Sequence, residues 1–160
     1  MLAASLQSGL GANSMYAEDV NYWKTGRSSA DSWLEKAKKE IKGVGGQVVG
    51  SGSFSEDITG RAGFMLAFRL EGEEFAIKWP VLKSKTGDFS AAQRQAATAL
   101  YHEVKAACVK VKFLGARSAF FAYLMLPDGR TAAEATSPEL VEILPAIVGG
   151  NHRPLLEAGR

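Results

Sequence analysis

The stretch GFMLAFRLEGEEFAIKWPVL, residues 63–82, constrains the fold more than any other. Phe64, Leu66, Phe68 and Leu70 alternate with other residues, and so do Phe75, Ile77, Trp79 and Val81. A period of two places each set on one face of a β-strand. Gly72 lies between the two sets, where a two-residue hairpin turn needs backbone freedom. The opposite face carries Met65, Ala67, Arg69, Ala76 and Lys78, and is expected to meet solvent or a ligand. Pro80 donates no amide hydrogen, so it marks an edge or a strand end.

An apolar strand face needs a cover. The stretch from Ser90 to Arg117 supplies a helix of the right length. At about 100° per residue, Ala96, Leu100, Val104, Ala107, Val111 and Leu114 form one stripe. Ser90 and Gln93 have capping-box spacing, and Gly115 fits the stop. An earlier helix starts at SWLEKAKKEIKGVGG, with Ser32 and Glu35 at the same spacing. Its stripe is Leu34, Ala37, Ile41 and Val44, and three glycines end it. QVVGSGSFS reads as a strand between that helix and the hairpin. SAFFAYLML is apolar on both faces and reads as a fourth, buried strand. PDGR is a turn, and SPELVEILPAIV opens a last helix with Ser137 as cap and Pro138 in its first turn.

The expected domain is therefore α+β, in the order α-β-β-β-α-β-α. A hairpin-containing antiparallel sheet carries the long helix on its apolar face, and Phe64, Phe68, Trp79 and Leu100 share one core. Residues 1–28, rich in Ser, Gly, Ala and Asn, read as an arm that Tyr16, Tyr22 and Trp23 pin to the body or to a neighbouring subunit. Residues 29–148 form the domain, and 149–160 an extended tail.

Charge bears on function through its arrangement. The net charge is only +2. On the long helix, however, Arg94, Lys105 and Lys112 fall on one line away from the stripe, with Thr98 and Tyr101 beside them. Cations at such spacing neutralise phosphates, and a ring between them can stack on a base. Lys83 and Lys85 in the loop, and Arg69 and Lys78 on the strands, extend the expected surface. A solvated helix face would show the same lysines.

Catalytic signals are sparse. His102 and His152 have no partner at metal-ligand spacing, and Cys108 borders the buried stripe as a small core residue. No phosphate loop, nucleophile elbow or dinucleotide fingerprint occurs. No catalytic residue, metal or cofactor is expected. A single cysteine excludes an internal disulfide and suits a reducing, cytoplasmic setting. The N-terminus lacks the pattern of a signal peptide, and no apolar run reaches membrane-spanning length.

The element order is shared with metal-dependent nucleases, double-stranded-RNA-binding domains and single-strand annealing proteins. The nuclease pattern wants an acid two residues before its lysine. Here Ala76 stands before Lys78, with Asp57, Glu73 and Glu74 placed elsewhere. The segments IKWPVL, AAQRQAATALYHEVKA and AFFAYLMLPDGRT are similar to small proteins of bacterial phages and mobile elements, over about residues 30 to 145. That resemblance implies nucleic-acid handling or a place in a virus particle, and no catalytic residue. The expectation is a non-enzymatic, homo-oligomeric binder of single-stranded DNA or RNA. The alternatives are a structural or adaptor protein and a degenerate nuclease-like domain.

Overall fold

The computed structural model describes residues 15–140 apart from Asp57 and Pro138. Its centre is the hairpin of β2 (Ala62–Leu70) and β3 (Glu73–Val81). Their register sets Phe64 opposite Trp79, Leu66 opposite Ile77 and Phe68 opposite Phe75. Glu71 and Gly72 close the turn, both with positive φ (52° and 77°), which the right-handed twist of the strands favours in two-residue turns. β1 (Gln47–Ser55) pairs antiparallel with β2, so the sheet order is β1-β2-β3. A bulge interrupts β1 between Val48 and Gly50.

Two helices cover the face of Phe64, Leu66, Phe68 and Ile77. They are α1 (Ala30–Gly43) and α2 (Phe89–Leu114). α1 inserts Leu34, Ala37 and Ile41. α2 inserts Ala96, Ala97, Leu100, Val104 and Ala107. The core expected from sequence forms: Phe64, Phe68 and Leu100 are buried and Trp79 packs against them. Burial of side chains this size stabilises by about 1.5–3 kcal/mol each.

Both helix starts differ from expectation by a few residues. Ser29, not Ser32, caps α1 by accepting the Ser32 amide (3.1 Å). Asp88, not Ser90, caps α2 by accepting the Ala91 amide (3.1 Å). Each true cap lies earlier because helical backbone, once begun, extends back to the first side chain that can satisfy a free amide. Glu35 pairs with Lys38 instead of closing a box (2.6 Å). Gly115, with φ 85°, ends α2 as expected.

The expected fourth strand is not a strand. After Gly115 the chain makes α3 (Ala116–Ala119) and a 3₁₀ turn at Phe121–Tyr123. Its backbone meets β3 at a bridge between Leu124 and Phe75, where the Met125 amide donates to Glu74 O (2.9 Å). The two adjacent phenylalanines explain this. Phe120 is fully buried, 4.9 Å edge-on from Phe68 and 5.8 Å from Phe75, whereas Phe121 is exposed. Helical turns let Phe120 enter the core from the end of the sheet. The apolar character on both faces came from residues that share one turn.

The second face of the hairpin is buried as well, contrary to expectation. Met65, Ala67 and Ala76 have no exposed surface. Val49 and Met125 pack against the alanines. Met125 pairs back with Thr131 across a turn, and α4 (Ala132–Thr136) follows with Thr131 and Glu134 in a full capping box. The Glu134 carboxylate then accepts two bonds from Lys78 Nζ, at 2.9 and 3.1 Å. Lys78 is therefore an internal residue with 6% exposure, not part of an outer surface. Pro138 and residues 141–148 of the expected last helix, and the tail, lie outside the described residues.

Two stability outcomes follow from these packings. Phe68→Ala empties the space between Phe75 and Phe120, and should cost about 3–5 kcal/mol in urea denaturation. Lys78→Met strands the Glu134 charge in the interior and should cost a similar amount, about 3–5 kcal/mol. Adding Glu134→Gln, which keeps the capping box but removes the charge, should recover most of that second loss in the same assay.

Candidate nucleic-acid interface

The described part of the arm docks on its own domain. The Ala17 amide donates to Lys83 O (2.8 Å). The buried Gln95 amide nitrogen reaches Ala17 O (2.7 Å), Val20 O (3.0 Å) and Asn21 O (3.0 Å). The Glu18 carboxylate accepts from the Ser84 hydroxyl (2.8 Å) and the Lys85 amide (3.0 Å). Asp19 pairs with Lys85 Nζ (2.8 Å), and Lys24 with Asp88 (3.1 Å). The arm thus lies along the first turns of α2, where Ala91, Gln95 and Thr98 are buried.

This docking builds a cluster of rings that no single element contains. Tyr22, held at φ 71°, stacks its ring on His102 (5.0 Å, 13° between planes). Trp33 of α1 lies 5.2 Å from Tyr101 and 6.0 Å from His102. Lys36 Nζ sits 4.3 Å over the Trp33 ring, and Lys105 Nζ 5.9 Å from the Tyr101 ring. Ring faces attract cations, so each ammonium is held where its remaining donors meet solvent. Four rings and two ammonium groups share one surface formed by arm, α1 and α2.

The residues singled out from sequence divide into two groups. Tyr101, Lys105 and Lys112 lie along α2; Tyr101 is half-buried and both lysines are exposed. Arg94 is half-buried nearer the start of that helix. Thr98 is turned inward and donates its hydroxyl to Arg94 O (2.6 Å), so it is not on the outer line. Lys83 and Lys85 remain exposed, but they anchor the arm through the contacts above. Arg69 and Lys78 belong to the other face of the sheet. Arg69 faces its cross-strand neighbour Glu74 at 3.4 Å, and Lys78 is buried with Glu134. They do not extend the helix surface. Tyr22, Trp33, Lys36 and His102 were not foreseen as site residues. The only local trace was the spacing of Trp33 and Lys36, and of His102 and Lys105, three apart on a helix.

The same helix departs from its expected stripe at its end. Leu114 is 61% exposed, and Phe113 is 81% exposed. Val109 and Phe121 are also outside the core.

Burial pushes the Cys108 thiol up to about 11, which leaves it protonated and unreactive at neutral pH. Glu73 pairs with Arg117 (2.9 Å). Among the described residues no group of three or more His, Cys, Asp or Glu side chains is placed to hold a metal ion. None of the described helices is long and apolar enough to cross a membrane. The chain matches no protein-family model, no curated protein and no solved structure.

Arm docking should depend on acid. Burial alone would raise the Glu18 carboxyl, but the Lys85 amide and Ser84 hydroxyl outweigh it and hold the value at about 2, against an ordinary 4.5. A carboxylate lowered by folding stabilises fully above its ordinary value, and that stabilisation is lost as pH falls from 4.5 towards about 2. Protection of the Ala17 amide hydrogen, taken relative to its intrinsic exchange rate at each pH, should therefore fall across that window. Glu18→Gln should remove most of the dependence.

Proposed function

We propose that the chain binds single-stranded DNA or RNA, without catalysis, on the surface shared by the arm, α1 and α2. The observation that carries this reading is the set of rings at Tyr22, His102, Tyr101 and Trp33 with Lys36 and Lys105 held over two of them. Rings offer stacking to any base, and ammonium groups neutralise phosphates, so the chemistry suits a flexible polyanion of no fixed sequence. Lys112, about two turns beyond Lys105 on α2, lengthens the track for the backbone. A cytoplasmic setting, and a host that is a phage or mobile element, belong to the same reading.

The exposed apolar end of α2 favours a second reading, that of a structural or adaptor protein. Val109, Phe113, Leu114 and Phe121 offer a phosphate nothing, yet they would suit a protein contact.

Salt separates the two. Each phosphate contact with a single strand contributes about −0.7 to the slope of log affinity against log salt. Changing Lys36, Lys105 and Lys112 together to Gln should flatten the slope by about 2 units, and equally for unrelated sequences. Tyr22→Ala should weaken binding by about 1–3 kcal/mol with the slope unchanged. If labelled single strands do not bind at low salt, or the triple variant keeps its slope, the adaptor reading replaces this one.

A further inference from the structure

Among the described residues, the outer edge of β1 has few of the devices that usually keep sheet edges apart. β1 uses one edge to pair with β2 from Gln47 to Ser55, and nothing among the described residues pairs with the other. The strand is nine residues long and contains no charge and no proline. Edge strands in soluble proteins are commonly shortened, charged or broken by proline. Here only the bulge beside Val48 serves that end, and it leaves Gly50 to Ser55 regular. The opposite edge of the sheet is different: Leu124 bridges to Phe75 on β3, and Tyr16 bridges to Lys83 just beyond it.

We infer that β1 is a self-pairing edge, joining two copies of this chain into one continuous six-stranded sheet. The sequence of the strand is complementary to itself in an antiparallel pair centred on Gly52. Gly50 then faces Phe54 of the other copy, and Ser51 faces Ser53, each twice by symmetry. The register with β2 puts both members of each pair on the same face. Gly50, Gly52 and Phe54 oppose Ala67, Met65 and Gly63, on one side; Ser51 and Ser53 oppose Leu66 and Phe64, on the other. An aromatic ring laid over a cross-strand glycine supplies the packing that glycine lacks. Two serines facing each other can exchange a hydroxyl hydrogen bond.

Space and charge agree with this occupant. Ser51 and Ser53 lie on the side covered by α1 and α2, yet both are exposed. The helix layer reaches the start of β1 at Val48 but leaves Ser51 and Ser53 uncovered, so the centre of the pair is clear of it. A Cβ added at Gly52 would meet nothing within 4 Å, so the centre of the pair is open. A strand without charge meets its own copy with no like-charge repulsion, whereas it offers a polyanion or a charged peptide no attraction. The two-fold axis stands perpendicular to the sheet, so both helix layers end on the same side. This inference is independent of nucleic-acid binding, and its test contains no nucleic acid.

Sedimentation of the full chain should show a monomer–dimer equilibrium that shifts with concentration, because one strand pair gives an interface at the small end of the specific range. Ser51→Lys with Ser53→Lys places like charges face to face, and should weaken dimerisation at least about tenfold while leaving the melting temperature of the monomer nearly unchanged. Ser51→Glu with Ser53→Glu should do the same alone. An equimolar mixture of the lysine and glutamate variants should restore a dimer as a heterodimer. A wild-type chain that stays monomeric at about 1 mM, a lysine variant that dimerises as before, or a mixture that fails to pair would each overturn the inference.

Discussion

The central strand of this protein has no wet side, and most of the architecture follows from that. β2 is buried along nearly its whole length, on both faces. A strand in that position needs two covers. α1 and α2 supply one; the chain after Gly115 supplies the other. The second cover brings Lys78 inside, since strand alternation leaves its side chain no route to solvent. A buried ammonium without a partner is far more costly than a paired one. Glu134 meets it, and burial, which alone would raise its carboxyl, is outweighed by Lys78 and Thr131, which hold it below the ordinary range. The capping box of α4 thus serves the sheet as well as the helix, because the same carboxylate closes both.

The aromatic–basic surface depends on a different kind of contact. None of its rings is placed by its own helix alone. Tyr22 reaches His102 because Gln95 and Glu18 hold the arm against α2 and the loop before it. Trp33 reaches Tyr101 because α1 and α2 share the apolar layer above the sheet. The surface is a product of three chain segments far apart in sequence, and its geometry is only as firm as the docking of the arm.

Period and turn chemistry made the hairpin legible, and with it β1, the two main helices, the stop at Gly115 and the inner face of the core. These are local patterns, and the local preference agreed with the global fold. What was not legible required knowing a neighbour. The Lys78 side of the hairpin looked like a solvent face, because alanines and a lysine alternate there; its partner Glu134 lies 56 residues away in the chain. Phe120 and Phe121 looked equivalent, although one fills the core and one faces outward. The basic line on α2 was visible in part: Lys105, Lys112 and Tyr101 lie where the helical period put them. Thr98 did not, because it is buried with its hydroxyl turned back to the Arg94 carbonyl. Trp33, Lys36, Tyr22 and His102 could be joined to the line only once the segments were packed.

The Gln95 side chain gives the arm a character of its own. One amide group, with two hydrogens, serves three carbonyl oxygens within 3.0 Å. Two hydrogens cannot serve three acceptors separately, so at least two of the carbonyls share one hydrogen. Contacts of this kind are lost together. Ala17, Val20 and Asn21 would therefore lose this donor in a single event if the Gln95 side chain were withdrawn. Departure of the arm would free the Gln95 amide and, in the same event, take Tyr22 from His102. Protection against hydrogen exchange along the arm and exposure of the ring surface would then share one opening equilibrium, so that whatever stabilises the closed arm also sets how often the rings stand assembled.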